Sequence, residues 1–244
     1  MTVYKVYLEG NSSGCMAHIL SLPGCFTYGK TEAMALRNLT QAVKIHLIWL
    51  RKNKLINTVP QGIVFQIAER QTGNPPWLSG STAALFLPDL IPPTSAEINN
   101  YIRLLRFSRS ELLRLVTRLP EEILDYKRKK RWTIRRNLNH VANAEWWYLS
   151  RIKDWKELES IPQRVPPGKI IERMQKTRNL AYRILHRLAD SKYHQVFIPT
   201  KYCNRRLKET WTARKVLRRF IEHEREHYLN IKDILAQISK HSKH

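Results

Sequence analysis

The sequence predicts a small α+β domain followed by an all-α four-helix bundle. Apolar residues alternate with polar ones in several segments of the first 70 residues, as expected for strands beside one long helix. From residue 95 onward they recur with helical spacing instead. Residues 71–94 between them are rich in Pro, Gly, Ser and Thr, which is typical of a linker. We therefore predict domains at 1–70 and 95–240, joined by a linker at 71–94.

The first domain is predicted to have the element order β-β-α-β. The stretch TVYKVYLEG alternates as a strand does, and CMAHILSLPG is predicted to form a second strand that ends at Pro23-Gly24. A third short extended piece, CFTYG, leads to Thr31, which is a candidate N-cap. A long helix through TEAMALRNLTQAVKIHLIWLRKN and a strand at IVFQIAER complete the domain.

The same stretch resembles the HicB-like family of small α+β domains. The resemblance rests on the order of elements in EGNSSGCMAHILSLPGCFTYGKTEAMALRNLTQAV and covers roughly residues 3–70. We identify no DNA-binding segment after it of the kind that HicB antitoxins usually carry. The domain is therefore interpreted as an adaptor or dimerisation module, and the resemblance implies a homodimer.

Four amphipathic segments from residue 95 onward predict the bundle. The first is SAEINNYIRLLRFSRSELLRLVTRL, which Pro120 ends, and Thr133 is a candidate cap for the second. The third runs roughly from Lys169 to Ala189, and Thr210 or Thr212 is the candidate cap of the fourth. Four helices with two longer connections are typical of a four-helix bundle.

Two of these helices open on the same pattern, W-T-x-R-x-x-L. It occurs as WTIRRNL at 132–138 and as WTARKVL at 211–217. The pattern is too short to establish an internal repeat. It does predict that each Trp-Thr pair caps an equivalent helix start.

The last helix contains FIEHEREHYLNI, in which HEREH fits the H-E-x-x-H pattern of zinc proteases. At about 100° per residue, His223, Glu224 and His227 fall on the same arc as Phe220 and Ile231. Burying these polar groups unpaired is costly, and a metal ion would satisfy histidines at i and i+4. The pattern therefore predicts a metal site. A protease is not predicted, because no suitable ligand follows downstream and no strand accompanies the helix.

A third ligand has to come from an upstream segment. The candidates are His140, His186 and His194. His140 lies at the edge of the apolar arc of the second helix, so the helical spacing permits His140 without selecting it.

The stretches WTIRRNLNHVANAEWWYLSRI and WTARKVLRRFIEHEREHYLNI resemble the DinB-like family of four-helix bundles. The resemblance implies that His140, His223 and His227 bind a divalent metal, zinc or nickel, with water in the remaining positions. Some relatives are metal-dependent transferases that use low-molecular-weight thiols. The resemblance thus implies an enzyme that activates a small-molecule thiol or water, a thiol transferase or a hydrolase. Glu224 is the candidate catalytic base or a partner that supports the ligands, with a helix salt bridge to Arg219 or Arg225 as the alternative. Asn143, Glu145 and Tyr148 are candidates for the mouth of the site, with bundle packing as the alternative.

A net charge of +23 supports a competing hypothesis. Residues 95–244 carry 35 basic against 16 acidic residues, a net of +19. Such a field attracts nucleic acid, and basic residues beside an aromatic ring can hold phosphates and stack bases. The alternative function is thus a nucleic-acid-associated protein without sequence specificity, or a structural dimerisation module without catalysis. The candidate residues for nucleic acid are Lys127, Arg128, Lys129, Lys130, Arg131 and Trp132.

The cysteines and the apolar segments help to predict the cellular compartment of the protein. Three cysteines without a CxxC pair are typical of a reducing cytoplasm rather than a disulfide framework. No apolar run reaches the length needed to span a membrane, and MTVYKVYLEG lacks the pattern of a signal peptide. The prediction is a cytoplasmic protein without membrane attachment.

Overall fold

The computed structural model describes residues 1–72, 84–127, 131–152, 169–199 and 209–241. The chain forms two compact units, which are described separately below. The first comprises Met1–Pro92 and His194–Arg218, and the second comprises Pro93–Tyr193 and Arg219–His244.

The first unit is built on a four-stranded sheet with one long helix. Its elements are β1 (Thr2–Asn11), β2 (Gly14–His18), β3 (Phe26–Gly29), α1 (Glu32–Lys52) and β4 (Ile63–Thr72). The strand order is β3-β2-β1-β4, with β1 antiparallel to β2 and parallel to β4. The predicted α+β class is confirmed for this part, while the resemblance to the HicB-like family stays a prediction.

The segment after β2 differs from the prediction. The strand ends at His18 rather than at Pro23-Gly24, and a turn between Ile19 and Cys25 follows. Backbone hydrogen bonds close this turn, and Gly24 has a φ of 88°, which a glycine adopts without strain. The short piece CFTYG then returns as β3 along β2.

Helix α1 begins where the sequence predicts. The hydroxyl of Thr31 accepts a hydrogen bond from the backbone N–H of Met34 at 3.2 Å, which satisfies one of the free donors at the helix start. The helix packs on β2 and β3, and it buries Leu39, Val43 and Leu47.

The apolar segment LFLPDL at residues 85–90 also belongs to the first unit. Phe86 is fully buried, with its ring centroid 5.4 Å from that of Tyr7. A 3-10 turn at Leu87–Leu90 presents Asp89, which accepts a hydrogen bond from Arg218 at 2.8 Å. This segment therefore contributes core contacts to the unit.

The second unit is a helical bundle. Its helices are α2 (Ser95–Val116), α3 (Glu121–Leu124), α4 (Ile134–Leu149), α5 (Ile170–Leu185) and α6 (Ala213–His241), of which the first turns of α6 belong to the first unit. The four longer helices share one apolar core. Its buried members include Leu112, Val116, Ile134, Leu138, Val141, Met174, Ile231 and Ile234. The predicted all-α class of this part is confirmed.

The two Trp-Thr pairs cap their helices alike but differ at the tryptophan. The hydroxyl of Thr133 accepts a hydrogen bond from the backbone N–H of Arg136 at 3.1 Å. The hydroxyl of Thr212 accepts one from the backbone N–H of Lys215 at 3.2 Å. Of the two predicted caps for the last helix, Thr212 is therefore the one used. Trp211 is fully buried, whereas 37% of Trp132 is exposed.

Two details of the bundle depart from the prediction. Helix α2 stops at Val116, short of Pro120, and the four-residue helix α3 follows that proline. Pro120 is well suited to precede a helix because it lacks the N–H that would be unpaired there.

Within the described part of the chain, no helix has the length and apolar character needed to cross a membrane.

Candidate metal centre

Three histidines from two helices of the second unit point at one another. His140 comes from α4, and His223 and His227 lie one turn apart on α6. One ring nitrogen from each lies within 4.8 Å of the others. Of the three upstream candidates, His140 is thus the one that the structure brings next to the pair, while His186 and His194 are exposed.

The three imidazoles are neutral at physiological pH. Burial lowers the pKa of His223 well below its usual value, and the neighbouring His227 and His140 add to this. Burial and His140 lower the pKa of His227 to about 3. Burial, followed by the charge of Arg136, also lowers the pKa of His140. Each ring can therefore offer a lone pair, and a set of neutral imidazoles fits zinc or nickel.

Asn137 orients one of these rings. Its Oδ1 lies 2.7 Å from Nδ1 of His227, and its Nδ2 donates to the backbone oxygen of Thr133 at 2.9 Å. The second bond identifies Oδ1 as the atom that faces the ring, so Nδ1 of His227 carries the proton and Nε2 is left for a metal. Asn137 was not among the residues predicted from the sequence, although its place one turn before His140 could have indicated it.

Trp132 covers the more exposed side of the cluster. Its ring stacks on His227 with 6.3 Å between centroids and meets the edge of His140 at 5.0 Å. Arg136 lies over the same indole at 4.5 Å. Trp132 was predicted as part of a nucleic-acid segment, whereas in the structure its ring contacts His140 and His227.

The other members of that basic segment do not form one described surface. Arg128, Lys129 and Lys130 lie outside the described residues. Arg131 makes an ion pair with Asp233, and Lys127 is exposed. The segment as a nucleic-acid site therefore stays a prediction.

The residues predicted for the mouth of the site fall in three different places. Tyr148 is buried and meets His223 edge-on, with 5.7 Å between centroids. Asn143 is exposed and accepts a hydrogen bond from Arg173. Glu145 belongs to a buried ion cluster, which also contains Glu224.

Glu224 is held by two arginines. Its Oε2 accepts hydrogen bonds from Nε of Arg109 and from Nη2 of Arg178, both at 2.7 Å. Glu145 accepts from the same two arginines. Burial alone would raise the pKa of Glu224, but Arg109 and Arg178 overcome this and lower it. The carboxylate is therefore ionised and engaged by both cations, and it is not among the ligand atoms that meet at the histidine cluster.

The second unit also matches known proteins. The family model described as the DinB superfamily matches residues 104–231, just over half of the chain and a range that includes all three histidines. Among solved structures, the chain is similar to YfiT from Bacillus subtilis, which is described as a probable metal-dependent hydrolase with an unusual four-helix bundle topology. That similarity has 17% sequence identity and a TM-score of 0.45, and it covers 60% of this chain and 90% of YfiT. No curated protein matches the sequence.

Proposed function

This chain belongs to the DinB superfamily, and we propose that it holds one divalent metal ion through His140, His223 and His227. The observation that carries the proposal is the convergence of three neutral imidazoles within 4.8 Å. Three protein ligands leave at least one position for water or substrate, which is typical of catalytic rather than structural zinc sites. We expect zinc or nickel, because both accept imidazole ligands well.

The proposed activity is that of a metal-dependent enzyme acting on a small molecule. A divalent ion at this site supplies a Lewis acid that increases the acidity of a bound water or thiol. The proposal therefore includes two reaction classes, transfer involving a small-molecule thiol and hydrolysis. Both need a metal position that substrate can reach, and the half-buried His140 lies on the accessible side.

The surrounding side chains have distinct roles in this proposal. Asn137 holds the tautomer of His227, and Trp132 limits access on the side where His140 is half-buried. Tyr148 closes the inner wall against His223. We assign Glu224 to the positioning of α6 rather than to proton transfer, because two guanidinium groups bind its Oε2 and the residue is not a member of the histidine cluster.

Metal content is the first test. The untagged protein should be analysed by elemental mass spectrometry beside a His223→Ala/His227→Ala variant, with His186→Ala as the matched control, since His186 is exposed and outside the cluster. We expect about one ion per chain in the wild type and the control, and none in the double variant. A wild type that stays empty after reconstitution with zinc and nickel would refute the proposal.

A spectroscopic titration separates the two reaction classes. Nickel-loaded protein should be titrated with a small thiol while its near-ultraviolet absorption is recorded. A new sulfur-to-nickel charge-transfer band, absent from the double variant, supports direct thiol binding. No band, together with metal-dependent hydrolysis of an activated ester, supports hydrolysis instead.

We propose that the first unit, which contains the four-stranded sheet, is an assembly module. Its α+β architecture agrees with the class predicted from the sequence, and the resemblance to HicB-like domains suggests a homodimer. Light scattering on the full chain measures this directly. A monomer at micromolar concentration would remove the dimerisation role.

A further inference from the structure

A groove runs along α2 in the second unit. It has a volume of about 690 Å³, and its lining extends from Arg106 to Arg118, with Tyr182 of α5 on the other side. Grooves of this volume are common ligand sites, although most are lined by apolar side chains. Four of the eight residues that line this groove are arginines, namely Arg106, Arg109, Arg114 and Arg118.

Three of these arginines have no counter-charge in the part of the chain that the structure describes. Arg106, Arg114 and Arg118 are exposed, and no carboxylate among the described residues forms an ion pair with any of them. Arg109 differs, because Glu145 and Glu224 neutralise it in the buried cluster. The one acidic residue of this stretch of α2, Glu111, is bound to Arg225 at 3.1 Å. Within the described residues, the groove therefore presents three exposed guanidinium groups without a carboxylate partner, of which that of Arg106 lies over the ring of Tyr182 at 5.5 Å.

The remaining lining suits phosphate. Ser110 adds a hydroxyl group between the arginines, whereas the hydroxyl of Thr117 already donates to the backbone oxygen of Leu113 at 2.7 Å. Guanidinium groups bind phosphate oxygens through paired hydrogen bonds, and hydroxyls contribute further contacts to a nucleic-acid backbone. No Asp or Glu lines the groove within the described residues, so a bound anion meets no repulsion from the lining.

The length of the arginine row favours a chain of phosphates over a single one. From Arg106 to Arg118 the helix and its last turn rise about 18 Å, which is too long for one phosphate to contact both ends. One nucleic-acid strand carries a phosphate about every 3.4 Å, so several phosphates can follow the row. The net charge of +19 over residues 95–244 adds long-range attraction for such a polyanion.

A membrane surface fits the same residues less well. Interfacial helices place large apolar side chains beside their basic residues. No large hydrophobic side chain of α2 is exposed, and the basic side chains line a concave surface.

We propose that this arginine groove, lined by Arg106, Ser110, Arg114, Thr117 and Arg118, binds the phosphate backbone of a nucleic acid without preference for base sequence. The guanidinium and hydroxyl groups of the lining suit phosphate oxygens, which every nucleotide carries whatever its base. The site is distinct from the histidine cluster and does not require its metal.

The test measures binding of the full-length protein to a fluorescein-labelled 20-nucleotide strand, by anisotropy over a series of salt concentrations. The variant is Arg106→Gln/Arg114→Gln/Arg118→Gln. The matched control is Lys169→Gln/Arg183→Gln/Lys232→Gln, which removes the same charge from exposed positions of the same unit outside the groove. Circular dichroism confirms that both variants are folded.

We expect the groove variant to bind at least about tenfold more weakly and its logarithmic salt slope to fall by about 2 to 3, since each lost phosphate contact lowers the slope by about 0.7 to 1. The control should keep a slope near that of the wild type. The His223→Ala/His227→Ala variant should bind the strand as the wild type does, which separates this proposal from the metal site.

Three results would overturn the proposal. The first is a wild type that does not bind at moderate salt. The second is an equal loss in both triple variants, which would assign binding to net charge alone. The third is competition by inorganic phosphate or pyrophosphate as effective as that by an unlabelled strand at equal phosphate concentration, which would identify a pocket for small anions instead.

Discussion

Two buried polar clusters share the same turn of α6 and satisfy their polar groups in opposite ways. His223 belongs to the histidine cluster, whereas its neighbour Glu224 belongs to a cluster of two glutamates and two arginines. The four ionised groups of the second cluster pair with one another, and their charges cancel. The three histidines are uncharged, and one ring nitrogen of each lies within 4.8 Å of the others, where the proposed metal ion would bind.

The residues of one short pattern, H-E-x-x-H at 223–227, belong to two different clusters. The letters H-E-x-x-H suggest two ligands and a base acting together. In this fold, residues 223 and 224 point about 100° apart around the helix, so the histidine and the glutamate reach different neighbours. A shared motif therefore does not establish a shared site.

The largest effect is expected from breaking the charge-paired cluster. Glu224→Gln leaves Arg109 and Arg178 buried with one carboxylate fewer, and loss of one partner from a buried ion cluster costs about 3–5 kcal/mol. Chemical denaturation should show this loss in the free energy of unfolding. The folded variant should still bind about one metal ion per chain, because the histidines are unchanged.

The control for this prediction is Glu172→Gln. Glu172 pairs with Lys176 on the surface of α5, where both side chains are more than half exposed, so no measurable change in stability is expected. Equal stability of the Glu224 variant and the wild type would show that the buried cluster does not stabilise the bundle.

A smaller effect, on metal affinity, is expected when the hydrogen-bond partner of a histidine is replaced and the three histidines are kept. Asn137→Ala removes the hydrogen-bond partner of His227, and such a loss weakens metal binding by about 10- to 100-fold. Asn139→Ala is the matched control, because Asn139 accepts from Arg173 at 2.6 Å instead. Competition with a chromophoric chelator measures both dissociation constants. Equal values for the two variants would contradict the assigned role of Asn137.

The smallest effect is expected at Trp132. Trp132→Ala removes ring contacts with His227 and His140, worth about 0.5–1.5 kcal/mol, so the metal dissociation constant should rise by up to about tenfold. Trp132→Phe keeps an aromatic ring and should recover most of the loss. If both variants bind as the wild type does, the indole is only a neighbour of the site.

Local features of this fold were predictable from the sequence. Thr31, Thr133 and Thr212 cap helices because a hydroxyl before an apolar run satisfies the free N–H groups of the first turn. The placement of His223 and His227 on one face also followed from helical geometry alone.

The partners in the buried clusters were not predictable in this way. Arg109 and Glu224 are 115 positions apart in the sequence. A helical wheel places Glu224 on the buried face of its helix, but it does not indicate which other helix supplies the arginine that pairs with it. His140 also lay at the edge of its apolar arc, so its place beside His223 depended on how α4 and α6 pack. The end of β2 at His18 depended on a turn at residues 19–25, within a run that the sequence predicted as one strand.

Because the indole of Trp132 lies at the rim of the histidine cluster, the intrinsic fluorescence of the protein should respond to a bound metal ion. Trp132 lies 6.3 Å from the ring of His227, so a paramagnetic ion bound there is within short range of an emitting side chain. Occupancy by nickel should therefore dim the intrinsic fluorescence of the protein, and a chelator should restore it. Metal loading and release can then be followed in real time without a dye or a tag.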